Sequence, residues 1–220
     1  MNKVKPIFEP CSFRYKNIFG DAIRKFIFNL LKDAYISLMK DKKVIIDKKD
    51  ELKCTVQLIY FAIKLRDRTH YPFYLHTEAP LNDIEKIVYG GLSPKSSPRI
   101  DIKIMKTDWT EESFITVECK RLDTNLTLIN EYINNGMDRF ISGKYCLNNN
   151  CSFMVGFIIE GSNNNVVKKL DNSIEKKYTS EGILKEIQKD IHYFSKHDRL
   201  KGHTPFRIHH LFANLDRLVI

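Results

Sequence analysis

The chain has 220 residues, 43% of them hydrophobic, and carries 36 Lys and Arg against 27 Asp and Glu, a formal net charge of +9. That length buries one sizeable core, so a single domain over residues 1–220 is expected, and the basic surplus favours an anionic partner such as nucleic acid or an acidic membrane surface. Five widely spaced cysteines (Cys11, Cys54, Cys119, Cys146, Cys151) with no CxxC pair argue against a disulfide framework and a structural zinc, and no window approaches a membrane span, so a reducing, cytoplasmic setting with no membrane partner is expected.

In chain order, residues 18–40 place Ile23, Phe26, Leu30, Leu31, Ala34 and Leu38 at helical spacing, which predicts a long amphipathic helix. The charged run that follows reads as a solvated connection with a short strand at Val44 to Ile46. A second helix is predicted to open near Asp50, with Leu52, Val56, Ile59 and Ile63 as its apolar stripe and Glu51 in its first turn. "PFYLHTEAP" reads as a short strand ended by Pro80, and "LNDIEKIVYGG" as a helical turn ended by two glycines. "RIDIKIM" and "SFITVECKRL" read as two strands of a hairpin, followed by a helix from about Leu126 to Lys144. "CSFMVGFIIEG" is nearly all apolar, as in a strand buried on both faces. One or two helices are predicted between about Val166 and Phe194, and "PFRIHHLFANL" as a final strand, making one α/β sandwich.

The hairpin carries the chemistry. Alternation sends Ile100, Ile102 and Ile104 to one face and Asp101 and Lys103 to the other; in the second strand Phe114, Thr116, Glu118 and Lys120 lie opposite Ile115, Val117 and Cys119. A hairpin turning symmetrically at Trp109 and Thr110 sets Asp101 opposite Glu118. Directly opposed carboxylates destabilise a sheet unless something positive sits between them. A divalent cation such as Mg²⁺, which takes oxygen ligands and keeps positions open for water and phosphate, meets that need, and Lys120 is placed to stabilise developing charge or orient a water. This set suggests hydrolysis of a phosphodiester. The competing reading leaves Asp101 and Glu118 on a solvated face, salt-bridged to Lys103 and Lys120.

A strand Asp followed by a strand ending E-x-K resembles the PD-(D/E)xK nuclease superfamily, the fold of many restriction endonucleases: Asp101 in "RIDI", Glu118 and Lys120 in "VECKRL". The match extends through "EYINNGMDRFISGKY" and "SFMVGFIIEG", similar to a group of bacterial nuclease-like proteins of phage defence in which a G-x-x-R-F-x-x-G-x-Y helix leads to a buried strand; in all it covers residues 98–161. Pro98 precedes Asp101 by three residues instead of one, a departure from the motif. The resemblance implies an αβββαβ core at about residues 50–161, a mixed central sheet flanked by helices, with the helix at 18–40 as an N-terminal addition. It implies Glu51 on the first core helix as a further metal ligand beside Asp101 and Glu118. It also implies a Mg²⁺-dependent nuclease, with Mn²⁺ able to substitute, that cuts DNA rather than RNA in anti-phage defence.

Arg139, Lys103 and Arg121 are the cations expected to meet the nucleic-acid backbone; Arg139 is equally read as an ion pair to Asp138 or Glu131. Tyr132 and Tyr145 read as buried amphipathic residues, Gly136 and Gly143 as sites of close packing or a turn, and Glu78 as a surface carboxylate or additional ligand. His192, His197, His209 and His210 lack the spacing of a helical metal site and read as structural, with His209 and His210 on opposite faces of a strand; a general-base role for His197 or His203 has no support. Two rivals remain: a catalytically inactive nucleic-acid-binding module on the same fold, and an interaction subunit of a defence complex. A regulatory protein partner or self-association is expected, because no reading head such as a helix-turn-helix is present to confer specificity.

Overall fold

The computed structural model describes residues 20–44, 47, 49–69, 73–76, 102–106, 114–146, 149–178, 182–199 and 205–216. Helix α1 (Asp21–Lys40) buries Leu30, Leu31, Ala34 and Leu38 of the stripe its spacing predicts, with Ile23 and Phe26 half-buried and Ile27 and Phe28 buried in addition. Helix α2 (Glu51–Thr69) starts where Asp50 caps it, the Asp50 carboxylate accepting from the Lys53 N–H at 3.0 Å. Strands β1 (Phe73–His76), β2 (Ile102–Lys106) and β3 (Ile115–Leu122) follow.

A composite helix, α3, comes next. It opens at Leu126–Asn130, capped by Asn125, widens to a π-helical stretch at Glu131–Met137, and closes at Asp138–Ile141. Strand β4 (Cys151–Ile158) is buried at all positions, as its apolar run requires. Helix α4 (Asn163–Tyr178) and strands β5 (Lys185–Gln188), β6 (His192–His197) and β7 (Phe206–Asn214) complete the described chain.

The seven strands form one mixed open sheet in the order β1-β2-β3-β4-β7-β6-β5. Strands β3, β4 and β7 run parallel at its centre, with antiparallel pairs on each side. One face packs Ile102, Ile104, Ile115, Val117, Phe153, Val155 and Leu211 against α1 and α2. The other packs Leu122, Met154, Ile158, Ile208 and Phe212 against α3 and α4. The molecule is thus an α/β protein whose described residues hold four helices around the seven-stranded sheet. None of these helices is long and apolar enough to cross a membrane.

The hairpin has the expected register: Ile102 pairs with Val117, Lys103 with Thr116 and Ile104 with Ile115. The region up to Phe194 needs correction. Helix α4 ends at Tyr178, and residues 185–197 form the β5–β6 hairpin instead of further helix. Leu184, Ile187 and Ile191 imitate helical spacing, but Asp190 takes a φ of 61° in the turn, and the pairing of β6 with β7 supplies the backbone partners. Val44 is in no strand, while Ile45, Ile46, Pro80 and the turn at 81–91 lie outside the described residues.

Candidate functional site

The site forms where the end of β3 passes between α2 and α3. Glu118, Lys120 and Leu122 share one face of β3, and Leu122 joins the core beneath α3. Glu118 is 2% exposed. Its Oε1 accepts from Arg139 at 2.7 Å and lies 3.0 Å from the Lys120 ammonium. Lys120 Nζ also donates to Glu51 Oε1 at 2.9 Å and to its neighbour, the Cys119 carbonyl, at 2.9 Å.

Glu51 reaches the strand because it stands in the first turn of α2, and its second oxygen accepts the Arg121 backbone N–H at 3.0 Å. The Arg121 side chain turns to the other face and donates to the Lys49 carbonyl at 2.8 Å, tying the start of α2 to β3 twice. Two carboxylates and two cations therefore alternate in a chain, Glu51–Lys120–Glu118–Arg139, drawn from three elements.

Burial works against the charge on Lys120, but the Glu51 and Glu118 carboxylates outweigh it and raise its pKa. An ammonium so held is a donor and a positive charge, not a base. Arg139 belongs to the closing turn of α3 and is 8% exposed, with a further bond to the Tyr145 hydroxyl at 3.3 Å. Its ion-pair partner is Glu118, while Asp138 pairs with Lys177 and Tyr178. Gly136 packs α3 onto the site: a Cβ there would lie 2.4 Å from the Met154 Cε and 3.6 Å from the Lys120 stem. Gly143 has a φ of 75° just after α3 ends.

Of the other expected residues, Lys103 is exposed on β2, its ammonium 5.1 Å from the Phe114 ring centroid. Asp101, Glu78 and His203 lie outside the described residues, so the apposition of Asp101 and Glu118 stays an expectation. Among the described residues no group of three or more His, Cys, Asp or Glu side chains is arranged to hold a metal. The donor chemistry nonetheless suits a hard cation, since Glu51 and Glu118 are oxygen donors converging on one positive group, which is Lys120 here.

A second polar cluster follows from no motif in the sequence. The Tyr132 hydroxyl lies 2.8 Å from His210 Nδ1, His210 Nε2 lies 2.9 Å from Ser195 Oγ, and Ser195 Oγ lies 2.8 Å from His197 Nε2. Burial drives the His210 pKa well below its ordinary value and that of His197 down to about 4, while the Tyr132 hydroxyl is raised. All four groups are neutral near pH 7 and link α3 to β6 and β7 beneath the core. The signal that would have found Ser195 was the strand alternation of "HYFSKH", hidden by the helical spacing of the apolar residues around it. His209 lies on the opposite face from His210, 5.1 Å from the Phe153 ring, as a strand demands.

Cys54, Cys119, Cys146 and Cys151 are free thiols. No family model, no curated protein and no solved structure matches the chain.

Proposed function

We propose that the chain is a metal-dependent nuclease of the PD-(D/E)xK kind, cutting DNA phosphodiester bonds in anti-phage defence. The observation that carries this reading is the convergence of Glu51 and Glu118 on Lys120, from α2 and β3. It is supported by the element order α2, β1, β2, β3, α3, β4 and by the register of the β2–β3 hairpin. Glu118 and Glu51, with Asp101, would hold Mg²⁺ or Mn²⁺, which when bound supplies a Lewis acid and a water activated near neutral pH.

The chain's own residues have separate tasks. Lys120, kept charged by its two carboxylates, stabilises negative charge growing on the phosphoryl oxygens rather than taking a proton from water. Arg139 orients Glu118, and Arg121 fixes the start of α2 so that Glu51 faces β3. Lys103, exposed on the hairpin, meets the DNA backbone.

The test is cleavage of labelled single- and double-stranded DNA and RNA with Mg²⁺, Mn²⁺ or chelator. The wild-type chain should cut DNA only with metal, and Glu118→Gln and Lys120→Ala should each lose about a hundredfold or more. Wild-type cleavage by either variant would sink the assignment at this site.

One observation favours a second reading. The described carboxylates are matched one for one by Lys120 and Arg139, a neutral brace that a nucleic-acid-binding or defence-complex subunit without cleavage would also retain. Tight DNA binding by the wild type with no cutting under any metal would decide for it.

A further inference from the structure

A cleft of about 530 Å³ opens between the first two turns of α1 and strands β5, β6 and β7, with Asp21, Arg24, Lys25, His192, Arg207 and His209 in its wall. It is separate from the Glu51–Lys120–Glu118 cluster. Lys120 pairs across to Gly156 and Gly156 to Phe212, which is five residues beyond Arg207 on β7, roughly 17 Å along the strand.

Three cations line the cleft against one carboxylate, Asp21, which is exposed and bonded to Arg24. Of the two imidazoles in the wall, only His209 feels the cleft's own arginines, and that after burial. Burial, then the neighbouring His192 and the charges of Arg207 and Arg24, lowers the His209 pKa to about 3, with Asp21 opposing. His192 is lowered to about 4 by burial and Lys32. Both rings are therefore neutral N–H donors near pH 7. His209 Nδ1 lies 3.1 Å from His192 Nε2, which leaves Nε2 of His209, a residue 94% buried by its 6% exposure, with no hydrogen-bond partner among the described residues. A buried ring nitrogen without a partner carries a desolvation penalty that a bound acceptor or donor relieves.

We propose that this cleft binds the phosphate group of a small phosphorylated ligand. The guanidinium forks of Arg24 and Arg207 suit phosphate oxygens, and Lys25 stands at the exposed lip. The volume is that of a small-molecule site. Phe28 and His192 stack on each other with centroids 3.5 Å apart and are both buried, so little ring surface is offered to a base, and recognition rests on the phosphate. Asp21 competes with the ligand for Arg24. The inference is independent of the nuclease reading.

Isothermal titration calorimetry of the full chain at low salt, with pyrophosphate, with adenosine and guanosine mono-, di- and triphosphates, and with a short DNA duplex, tests it. At least one small probe should bind below millimolar concentration; binding by pyrophosphate as well as nucleotides points to free phosphates, and by nucleotides alone to a nucleotide. Arg207→Gln should weaken binding about tenfold, Lys25→Ala a few-fold (roughly 2–5), and Asp21→Asn should strengthen it. Absence of binding by every small probe, binding of the duplex alone, or equal affinity in Arg207→Gln overturns the proposal. Should Arg207→Gln fail to fold, the substitutions at exposed Lys25 and Asp21 decide, and unchanged affinity in both overturns the proposal equally.

Discussion

Glu51 and Lys120, 69 residues apart in the chain, meet at 2.9 Å, and the same ammonium lies 3.0 Å from Glu118. This places a fixed positive charge between two carboxylates, where a strand carrying E-x-K and a helix carrying Glu would otherwise repel. Lys120 is the pivot: remove it and both carboxylates lose their common partner.

Lys120→Met should therefore lower the stability of the metal-free chain by about 3 kcal/mol, the low end for a broken buried pair, because Glu51 is 32% exposed. It should also open the carboxylates to a cation. Thermal melts with and without Mn²⁺ should show a larger metal-induced rise in Tm for Lys120→Met than for the wild type. An equal rise would mean that Lys120 does not compete with the cation, and no rise in either protein would mean that these two carboxylates do not form a cation site.

Arg139 is tested by its partner. Arg139→Met leaves Glu118 buried with one cation fewer and should cost about 3–5 kcal/mol in urea unfolding. Combining it with Glu118→Gln should cost markedly less than the sum of the two single changes, because the pair is removed together. Additive losses would show that Arg139 and Glu118 do not act on each other.

The histidines predict a pH dependence. His192 and His197 are held down to about 4 and His209 to about 3, with His210 well below its ordinary value, burial being the main cause for each. Between those values and about 6.5, where unfolded histidine titrates, the unfolded chain binds more protons than the folded one. Stability is then fully present above about pH 6.5 and falls as the pH drops toward 4. Urea midpoints measured from pH 7.5 to 4.5 should decline on this schedule, and His210→Gln should flatten the slope by about one proton. A slope unchanged by that substitution would place the proton uptake elsewhere.

Two glycines should behave differently. Gly156 sits in β4 between Lys120 on β3 and Phe212 on β7, and a Cβ there would lie 2.6 Å from a Leu122 methyl and 2.9 Å from the Phe212 ring. Gly156→Ala should cost about 1–3 kcal/mol by overpacking. Gly136→Ala meets only the flexible end of Met154 at close range, and the better helix propensity of Ala, about 1 kcal/mol, offsets the adjustment. Chemical denaturation of the two variants should rank Gly136→Ala the more stable.

Much of the scaffold was legible because its signals are local. The stripe of α1 and the apolar run of β4 follow from side-chain periodicity, the start of α2 from its Asp50 cap, and the register of the β2–β3 hairpin from a symmetric connection, all within short stretches of chain. The β5–β6 hairpin was not legible. Its apolar residues fall at helical spacing, and only the hydrogen bonds offered by β7 make the extended form the better one.

What the amino-acid order determined by itself is which side chains share a face: Glu118 with Lys120 on β3, His209 opposite His210 on β7. Which faces meet was decided by the tertiary structure. With β3 inside the sheet, α2 on one side and α3 on the other, Glu51 and Arg139 approach the same strand from opposite layers. Arg139 thereby finds Glu118 instead of its neighbours Asp138 and Glu131, and Tyr132 finds His210, 78 residues away. Periodicity is a property of consecutive residues, whereas these contacts depend on strand order and on the burial that packing enforces, so no local pattern in the chain encodes them.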